Sequence, residues 1–314
     1  MKIGILTFHY PWNYGAVLQA YASVQILKEM GHEPVVLDYR NPTVRRNGRV
    51  LYWDANRFRH ERLYVLKFLP LCIRRAARAI RFRWFRRHYL PLRPFSEKVD
   101  AYLIGSDQVW NAGQTGGPDP VYTGLKLPAG VPVISWAASA GSSVPSDETI
   151  AAIKERFTAI SVREKPLQEL FPGSVLLPDP TLMAPPETWT PLLRRCHKRR
   201  PYILAYPMIR EHEVLDAARW KAAKMGLPLE ILSNRPSLYL RRHIAANPRK
   251  VLTMMHDAEY IVTSSFHGAV FAGVFDRPLT LVSDPLDPRF DALKADPQKG
   301  LAEAKAFLDK ALKG

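Results

Sequence analysis

The chain has 314 residues, of which 47% are hydrophobic and 24% charged, and its formal net charge is +16 at pH 7. This length predicts two domains, and the composition is that of an ordinary water-soluble protein with ample core material. The two cysteines, Cys72 and Cys196, exclude a disulfide framework and a cysteine metal cluster, and no metal site is expected.

The positive charge favours anionic partners, which include nucleic acid, an anionic lipid surface and a phosphorylated substrate. The apolar run that follows Lys2 is too short for a signal peptide. No uninterrupted apolar run is long enough to span a bilayer. We therefore expect a cytoplasmic protein.

The first segment predicts a βαβ unit and hence a parallel sheet. Its strands are Lys2–Phe8 and Pro34–Tyr39, and its helix is Ala16–Met30. The first loop has no GxGxxG pattern, so a common dinucleotide-binding fold is not expected. The end of this loop is either a tight helix start or, as we favour, part of a ligand site. Its residues are Asn13, Tyr14 and Gly15.

A basic helical insertion is predicted at about residues 41–94, and we expect Pro70 to divide it into two helices. Apolar residues fall on one stripe, and arginines lie off it. The stripe consists of Ile73, Ala77, Ile80 and Trp84, and the arginines are Arg74, Arg75, Arg78 and Arg81. The insertion either covers a sheet edge or contacts an anionic membrane or lipid-linked substrate through residues 57–93. Nucleic-acid binding ranks last, because no motif for reading RNA or DNA accompanies the charge.

A strand at Ala101–Ile104 is followed by Gly105, which permits close backbone approach, and by polar residues at the strand's carboxyl end. The Asp107 carboxylate is able to bind sugar hydroxyls or accept a proton, or it only caps the next turn. We favour a site role for this loop. Its polar residues are Ser106, Asp107 and Gln108.

The next elements are a strand at Val131–Ala137, a helix at Asp147–Phe157 and a short strand at Ala159–Glu164. The small residues 138–143 fit either a phosphate nest or a tight turn. Arg163 must meet an anion or Glu164. Neighbours on a strand point to opposite faces, which disfavours the pair. Asp179 and Pro180 are expected to form a structural turn.

The second half restarts the α/β pattern after a linker near residues 185–200. Strands are predicted at Tyr202–Tyr206, Leu229–Leu232, Tyr260–Val262 and Leu279–Val282, and helices at Glu211–Met225 and Leu301–Leu312. The strand that ends at Val262 leads into a helix of small apolar residues, the kind of junction at which α/β proteins bind anions. The turn either only caps that helix or forms a site. Its residues are Ser264, Ser265, His267 and Gly268.

Five stretches together resemble the polysaccharide pyruvyl transferase family. They are residues 13–22 (NYGAVLQAYA), 100–111 (DAYLIGSDQVWN), 161–164 (SVRE), 175–182 (VLLPDPTL) and 263–278 (TSSFHGAVFAGVFDRP). The resemblance implies transfer of a pyruvyl group from phosphoenolpyruvate to two sugar hydroxyls, which forms a cyclic ketal and releases phosphate. It implies no cofactor besides this co-substrate, and it associates Arg163 with the anionic donor.

We therefore predict two doubly wound Rossmann-like α/β domains facing a cleft, a GT-B-like arrangement, with domains at 1–195 and 196–314. The predicted catalytic residues are His267, Arg163 and Asp107. The predicted substrate-binding residues are Asn13, Tyr14, Gly15, Ser106, Gln108, Ser264, Ser265 and Gly268. Two alternatives stay open. One is a GT-B glycosyltransferase with a nucleotide-sugar donor, and the other is a non-catalytic basic protein that binds lipid or nucleic acid.

Overall fold

The computed structural model describes residues 1–47, 64–194, 200–232, 246–283 and 288–313, with side chains omitted at 46–47, 64–71 and 288–289. Its contacts divide the chain into two compact units. The first unit comprises Met1–Arg45, Arg86–Pro191 and Asp284–Gly314. The second unit comprises Arg46–Phe85 and Leu192–Ser283.

The second unit begins again at Leu192 instead of the predicted residue 196, and the division differs from the prediction in two further stretches. Residues 46–85 group with the second unit, and the end of the chain groups with the first. The terminal helix reaches the first unit through Lys305, whose Nζ lies 2.7 Å from Glu29 Oε1. A Cβ atom on Gly300 would lie 2.8 Å from Pro178 Cγ, so only glycine allows this close packing.

The first unit contains a five-stranded parallel sheet of order β3-β2-β1-β4-β5. Its strands are β1 Lys2–Leu6, β2 Glu33–Leu37, β3 Leu92–Arg93, β4 Ala101–Gly105 and β5 Val133–Trp136. The central strands are continuous apolar runs buried on both faces, as expected for a parallel sheet covered by helices. The strand order reverses between β1 and β4, which places a topological switch point there.

A small parallel pair, β6 Ser161–Val162 and β7 Val175–Leu176, follows this sheet. Single bridges from Ile134 to Ala159 and from Ala138 to Val162 connect β6 and the segment just before it to the region of β5. The helices that begin in the first unit are α1 Tyr14–Glu29, α2 Pro42–Asn47, α4 Ala112–Thr115, α5 Asp147–Arg156, α6 Lys165–Leu170, α7 Pro180–Met183 and α11 Pro297–Lys313, with 3₁₀ turns at Pro186–Leu192 and Pro288–Lys294.

The second unit contains a four-stranded parallel sheet of order β11-β10-β8-β9. Its strands are β8 Ile203–Tyr206, β9 Leu229–Ile231, β10 Tyr260–Thr263 and β11 Leu279–Leu281, and its helices are α8 Glu211–Met225, α9 Pro248–Asp257 and α10 Phe266–Val274. The predicted helix at 211–225 is confirmed at both ends. Because β9 lies on one side of β8 and β10 on the other, the switch point of this sheet lies between β8 and β10.

Helix α3 (Tyr64–Tyr89) belongs to the second unit through Phe85 and to the first unit from Arg86. The predicted division at Pro70 is wrong, because α3 continues through it. Proline removes one backbone N–H, which weakens a helix locally without always ending it. Among the described residues, no helix is long and apolar enough to cross a membrane.

Candidate functional site

At the switch point of the first unit, a buried glutamine bridges the ends of β1 and β4. Gln19, on α1, donates from Nε2 to Thr7 Oγ1 at 2.7 Å, just past the end of β1. Its Oε1 accepts from the Ser106 backbone N–H at 3.4 Å, just past the end of β4. One side chain therefore fixes the spacing of the two strand ends, where open α/β sheets bind ligands. Gln19 was not among the predicted site residues, because its position on α1 gave no sign of this bridge.

Strand β4 ends at a glycine that no other residue replaces without strain. Gly105 has a φ of +131°, and a Cβ atom there would lie 2.2 Å from the Trp136 carbonyl oxygen. The close backbone approach predicted at this position is thus made by β5 of the protein itself. Ser106, the next residue, is fully buried and donates from Oγ to Asp179 Oδ2 at 3.1 Å.

Asp107 and Gln108 are the partly exposed members of the loop after β4. The Oδ1 atom of Asp107 accepts from the Gln108 backbone N–H at 2.8 Å, which orients the carboxylate. Gln108 Oε1 accepts from Asn111 Nδ2 at 2.8 Å. The loop therefore presents an oriented carboxylate at the carboxyl end of a central strand, which suits hydrogen bonding to a hydroxyl group.

Arg163 lies in a buried network that includes Asp179, a partner that was not predicted for it. Its guanidinium forms ion pairs with Asp179 and with Glu164, the latter at 3.2 Å, and donates to Ser139 Oγ at 3.0 Å. The expectation that strand geometry disfavours the Arg163–Glu164 pair was wrong. β6 ends at Val162, and Glu164 is the N-cap residue of α6, so strand alternation does not apply.

The electrostatics of this network favour the charged form of Arg163. Burial by itself would lower the pKa of Arg163, but the charges of Glu164 and then Asp179 outweigh it and raise the pKa. Asp179 also accepts from the backbone N–H of Thr181 at 2.9 Å and so caps α7. The prediction of a structural role for Asp179 agrees with these contacts.

The small residues after β5 form a turn within the same network. Ser139 Oγ donates to Glu164 Oε1 at 2.6 Å and accepts from the Gly141 backbone N–H at 3.0 Å. The Ser143 backbone N–H is used in a 3.1 Å bond to the Ala140 carbonyl. Of the two interpretations for residues 138–143, these contacts favour the tight turn.

The start of α1 contains three predicted substrate-binding residues. Asn13 is exposed and is the N-cap, because its Oδ1 accepts from the Gly15 backbone N–H at 3.0 Å. Tyr14 and Gly15 are buried. Asn13 is thus the member of this group whose side chain reaches solvent at the first switch point.

A second missed group lies beside this loop, at the ends of β1 and β2. His9 is fully buried, with Nε2 3.0 Å from Asp38 Oδ1 and Nδ1 3.1 Å from the Thr7 carbonyl oxygen. Asp38 also forms an ion pair with Arg40, at 2.7 Å. The hydrogen bond from His9, followed by that from Arg40, holds the pKa of Asp38 well below its usual range. Their positions just after two strands were the available signal.

In the second unit, the predicted turn lies at the switch point between β8 and β10. Ser264 Oγ accepts from the backbone N–H groups of Met208 and Ile209 at 3.0 and 3.1 Å, and donates to the Ile209 carbonyl at 2.6 Å. Ser264 therefore joins the ends of β8 and β10. Ser265 is the N-cap of α10, because its Oγ accepts from the Gly268 backbone N–H at 3.2 Å.

His267 is half-buried in the first turn of α10, and its ring packs edge-on against Phe266 with a centroid distance of 5.2 Å. Gly268 is buried, and a Cβ atom there would lie 2.6 Å from Thr263 Oγ1. The turn therefore has two structural serines, a glycine required by packing and one half-buried imidazole. His267 is the group of this turn that is suited to proton transfer.

A cavity of about 660 Å³ adjoins the network in the first unit. It is lined by Arg163, Lys165, residues 176–178 and parts of the 291–303 segment. Arg163 is the predicted site residue that reaches it. Among the described residues, no group of three or more His, Cys, Asp or Glu side chains is placed to hold a metal ion.

Both units are parallel α/β sheets with polar turns at their switch points, which defines a GT-B-like α/β protein. A family model for polysaccharide pyruvyl transferase matches residues 13–284. The chain belongs to this family, and the predicted family membership is confirmed.

Comparison with solved structures confirms the fold class. The putative UDP-N-acetylglucosamine 2-epimerase of Listeria monocytogenes is 10% identical, with a TM-score of 0.52 over 98% of this chain and 87% of that chain. The UDP-GlcNAc 2-epimerase of Neisseria meningitidis, bound to UDP-GlcNAc, is 9% identical, with a TM-score of 0.52 over all of both chains. No curated protein sequence matches the chain.

Proposed function

We propose that the protein transfers a pyruvyl group from phosphoenolpyruvate to two hydroxyls of one sugar in a polysaccharide or glycan precursor. The observation that carries this proposal is the family match over residues 13–284, which includes the polar turns at both switch points. The products are a cyclic ketal and inorganic phosphate. The enzyme is thus a transferase that needs no cofactor besides its co-substrate.

The chemistry assigns a task to each kind of group. Protonation of the methylene carbon of the donor generates a cation at its neighbouring carbon, which one sugar hydroxyl attacks. The second hydroxyl then displaces phosphate. The two hydroxyl groups lose two protons in total. One restores the general acid, which has protonated the methylene carbon, and the other leaves with the phosphate. These reaction steps require a general acid and a carboxylate that orients the sugar hydroxyls.

We assign His267 as the proton donor and Asp107 as the carboxylate that accepts hydrogen bonds from the sugar hydroxyls. The imidazole of His267 is half-buried at the start of α10, where helix N–H groups favour an anionic donor. The Asp107 carboxylate is held by the Gln108 N–H and stays partly exposed at the end of β4. Asn13 supplies a further exposed amide at the neighbouring strand end.

The proposal also covers the form of the sugar acceptor and a contact between the protein and a membrane. The sugar is either free or linked to a lipid carrier. A peripheral contact with an anionic membrane through residues 57–93 accounts for the dense arginine content of that segment. The structure describes this segment from residue 64 onward.

The proposal is tested by incubating the protein with phosphoenolpyruvate and a panel of glycans while measuring phosphate release and a ketal product by mass. We expect His267→Ala to lower turnover at least about 100-fold, the usual scale for loss of a general acid. His256→Ala is the matched control, because His256 lies in the same unit and is 42% exposed. Its turnover is expected to stay within about two-fold of the parent.

Two results would contradict the assignment at different levels. Normal turnover by a folded His267→Ala variant removes His267 from the chemistry but leaves pyruvyl transfer in place. Absence of phosphate release with every glycan, together with sugar transfer from a nucleotide sugar, replaces the proposed reaction by glycosyl transfer.

A further inference from the structure

Helix α3 has two apolar faces, and one of them is exposed. Phe82 and Phe85 are fully buried, and Cys72 is nearly so. On the opposite face, Ile73 and Ile80 are 61% and 67% exposed. Phe82 and Phe85 therefore supply the buried face of the helix.

The exposed face continues to Trp84, which is 39% exposed. Ile73, Ile80 and Trp84 are separated by seven and four residues, so they form one stripe along the helix. We call this stripe, with the half-buried Ala77 within it, the outer face of α3. A helix that only covers a sheet does not require large apolar side chains on its solvent side.

Exposed arginines lie on both sides of the outer face. Arg74 and Arg81 follow its two isoleucines directly, and Arg83 lies on the other flank. Arg78 has a different position, because its guanidinium lies 5.5 Å from the centre of the Phe82 ring. An apolar stripe between rows of arginines is the pattern of helices that lie in the headgroup region of an anionic bilayer.

A cavity of about 330 Å³ lies at the Trp84 end of the outer face. Its lining residues are Trp84, Arg194, Asn247 and Arg249, and none of these four is acidic. Arg249 is anchored, because its Nε donates to the Leu192 carbonyl at 3.0 Å. We call this the Trp84 cavity.

The Trp84 cavity also contains the start of α9. Asn247 is the N-cap of this ten-residue helix, and its Oδ1 accepts from the Arg249 backbone N–H at 2.8 Å. Two arginines, a helix N-terminus and an indole ring in one cavity match the requirements of a phosphate group attached to an apolar body.

We propose that the outer face of α3 binds an anionic phospholipid bilayer and that a lipid headgroup phosphate occupies the Trp84 cavity. Charge complementarity identifies the partner, and the continuity of apolar stripe and arginine cavity fits a molecule with both acyl chains and a phosphate. This inference deepens the proposed membrane contact. It does not depend on pyruvyl transfer, because none of the residues involved is assigned a step in that reaction.

The test is flotation of the full chain with vesicles of phosphatidylcholine containing about one-third phosphatidylglycerol, a mixture that supplies a negative surface potential. We expect binding at low salt and its loss at high salt. Brominated acyl chains should quench tryptophan fluorescence in the parent, and Trp84→Phe should remove most of this quenching. Trp220→Phe is the matched control, because Trp220 is a 63% exposed tryptophan elsewhere in the second unit.

The charge contribution is measured with Arg74→Gln, Arg81→Gln and Arg83→Gln combined, which should weaken vesicle binding at least ten-fold. Lys98→Gln, Lys310→Gln and Lys313→Gln remove the same charge from exposed positions outside the second unit, and should weaken binding less than two-fold. Arg194→Gln tests the cavity. It should reduce binding to vesicles with phosphatidylglycerol several-fold, and by more than Lys98→Gln alone, which removes the same charge outside the second unit.

Several outcomes would overturn the proposal. Absence of flotation at low salt, or quenching that survives Trp84→Phe, removes the membrane from the outer face. Tight, salt-sensitive binding to an oligonucleotide without vesicle binding assigns the arginines to nucleic acid instead. A dimer that dissociates when Ile73 and Ile80 are changed to serine assigns the outer face to a second copy of the chain. Phosphate release on a soluble acceptor is measured in parallel, so failure of the lipid proposal is distinguishable from failure of pyruvyl transfer.

Discussion

Arg163 is the residue whose surroundings bear most directly on its predicted role. Its guanidinium contacts two carboxylates, Glu164 and Asp179, and all three side chains are buried. One positive and two negative charges leave a local excess of negative charge, which opposes the approach of an anionic donor. Contact between Arg163 and the donor stays a prediction, and the geometry favours a structural task for this arginine.

Replacing Arg163 separates these two roles. Arg163→Ala leaves two buried carboxylates without their cation, so we expect a loss of about 3–5 kcal/mol in the free energy of unfolding, measured with urea. Arg219→Ala is the control, because its ion pair with Asp216 is exposed and contributes about 0–1 kcal/mol. A variant of normal stability that no longer binds phosphoenolpyruvate would instead assign Arg163 to the donor.

The polar residues of the site show why residue-level prediction succeeded only in part. The strand–turn–helix pattern predicted which turns lie at strand ends, since polar residues directly follow buried runs there. Hydrogen bonds across the chain are not visible in such patterns. Gln19 forms hydrogen bonds with Thr7 and Ser106. Asp179 accepts a hydrogen bond from Ser106 and forms an ion pair with Arg163. These roles became apparent only from the three-dimensional contacts.

At the scale of elements, helix α3 shows what periodicity specifies and what it leaves open. The spacing predicted the stripe that contains Ile73, Ile80 and Trp84, and a helix forms there. A helical pattern with apolar residues on two faces does not say which face is buried. That choice depends on packing against other elements, and it placed Phe82 and Phe85 inside.

Truncation of a side chain should destabilise the protein far more on the buried face of α3 than on the outer face. Phe82→Ala creates a cavity at a fully buried position, so we expect a loss of about 3–5 kcal/mol in the free energy of unfolding. Ile80→Ala, at a 67% exposed position on the same helix, should change it by no more than about 0.5 kcal/mol. Urea unfolding of both variants checks this. A large loss for Ile80→Ala would show that the outer face is covered in the folded chain.

For the whole molecule, the repeated α/β pattern predicted parallel sheets and two units, and this much of the fold followed from sequence. The order of strands did not, because a βαβ unit shows that two strands are neighbours without fixing the side on which a third is added. The return of the terminal helix to the first unit was also hidden, since it depends on contacts of Lys305 and Gly300 with residues far away in the chain.

The fold leaves the donor open, because similar structures include epimerases of UDP-GlcNAc and fold does not determine function. The net charge of +16 adds a complication, since any anion screens repulsion within so basic a protein and raises its stability. A donor must therefore be compared with other anions at equal ionic strength. Once the ionic strength is matched, a difference in stabilisation between two anions reports specific binding of one of them.

We expect phosphoenolpyruvate to stabilise the protein beyond sulfate at matched ionic strength, by about 2.7 kcal/mol when its concentration is about 100 times its dissociation constant. UDP-GlcNAc should stabilise it no more than sulfate does. Thermal unfolding in the three ligands measures the difference, and the His256→Ala variant should respond as the parent does. Stabilisation by UDP-GlcNAc and not by phosphoenolpyruvate would identify a nucleotide-sugar donor, since only a ligand that binds the folded state more tightly than the unfolded state raises the midpoint.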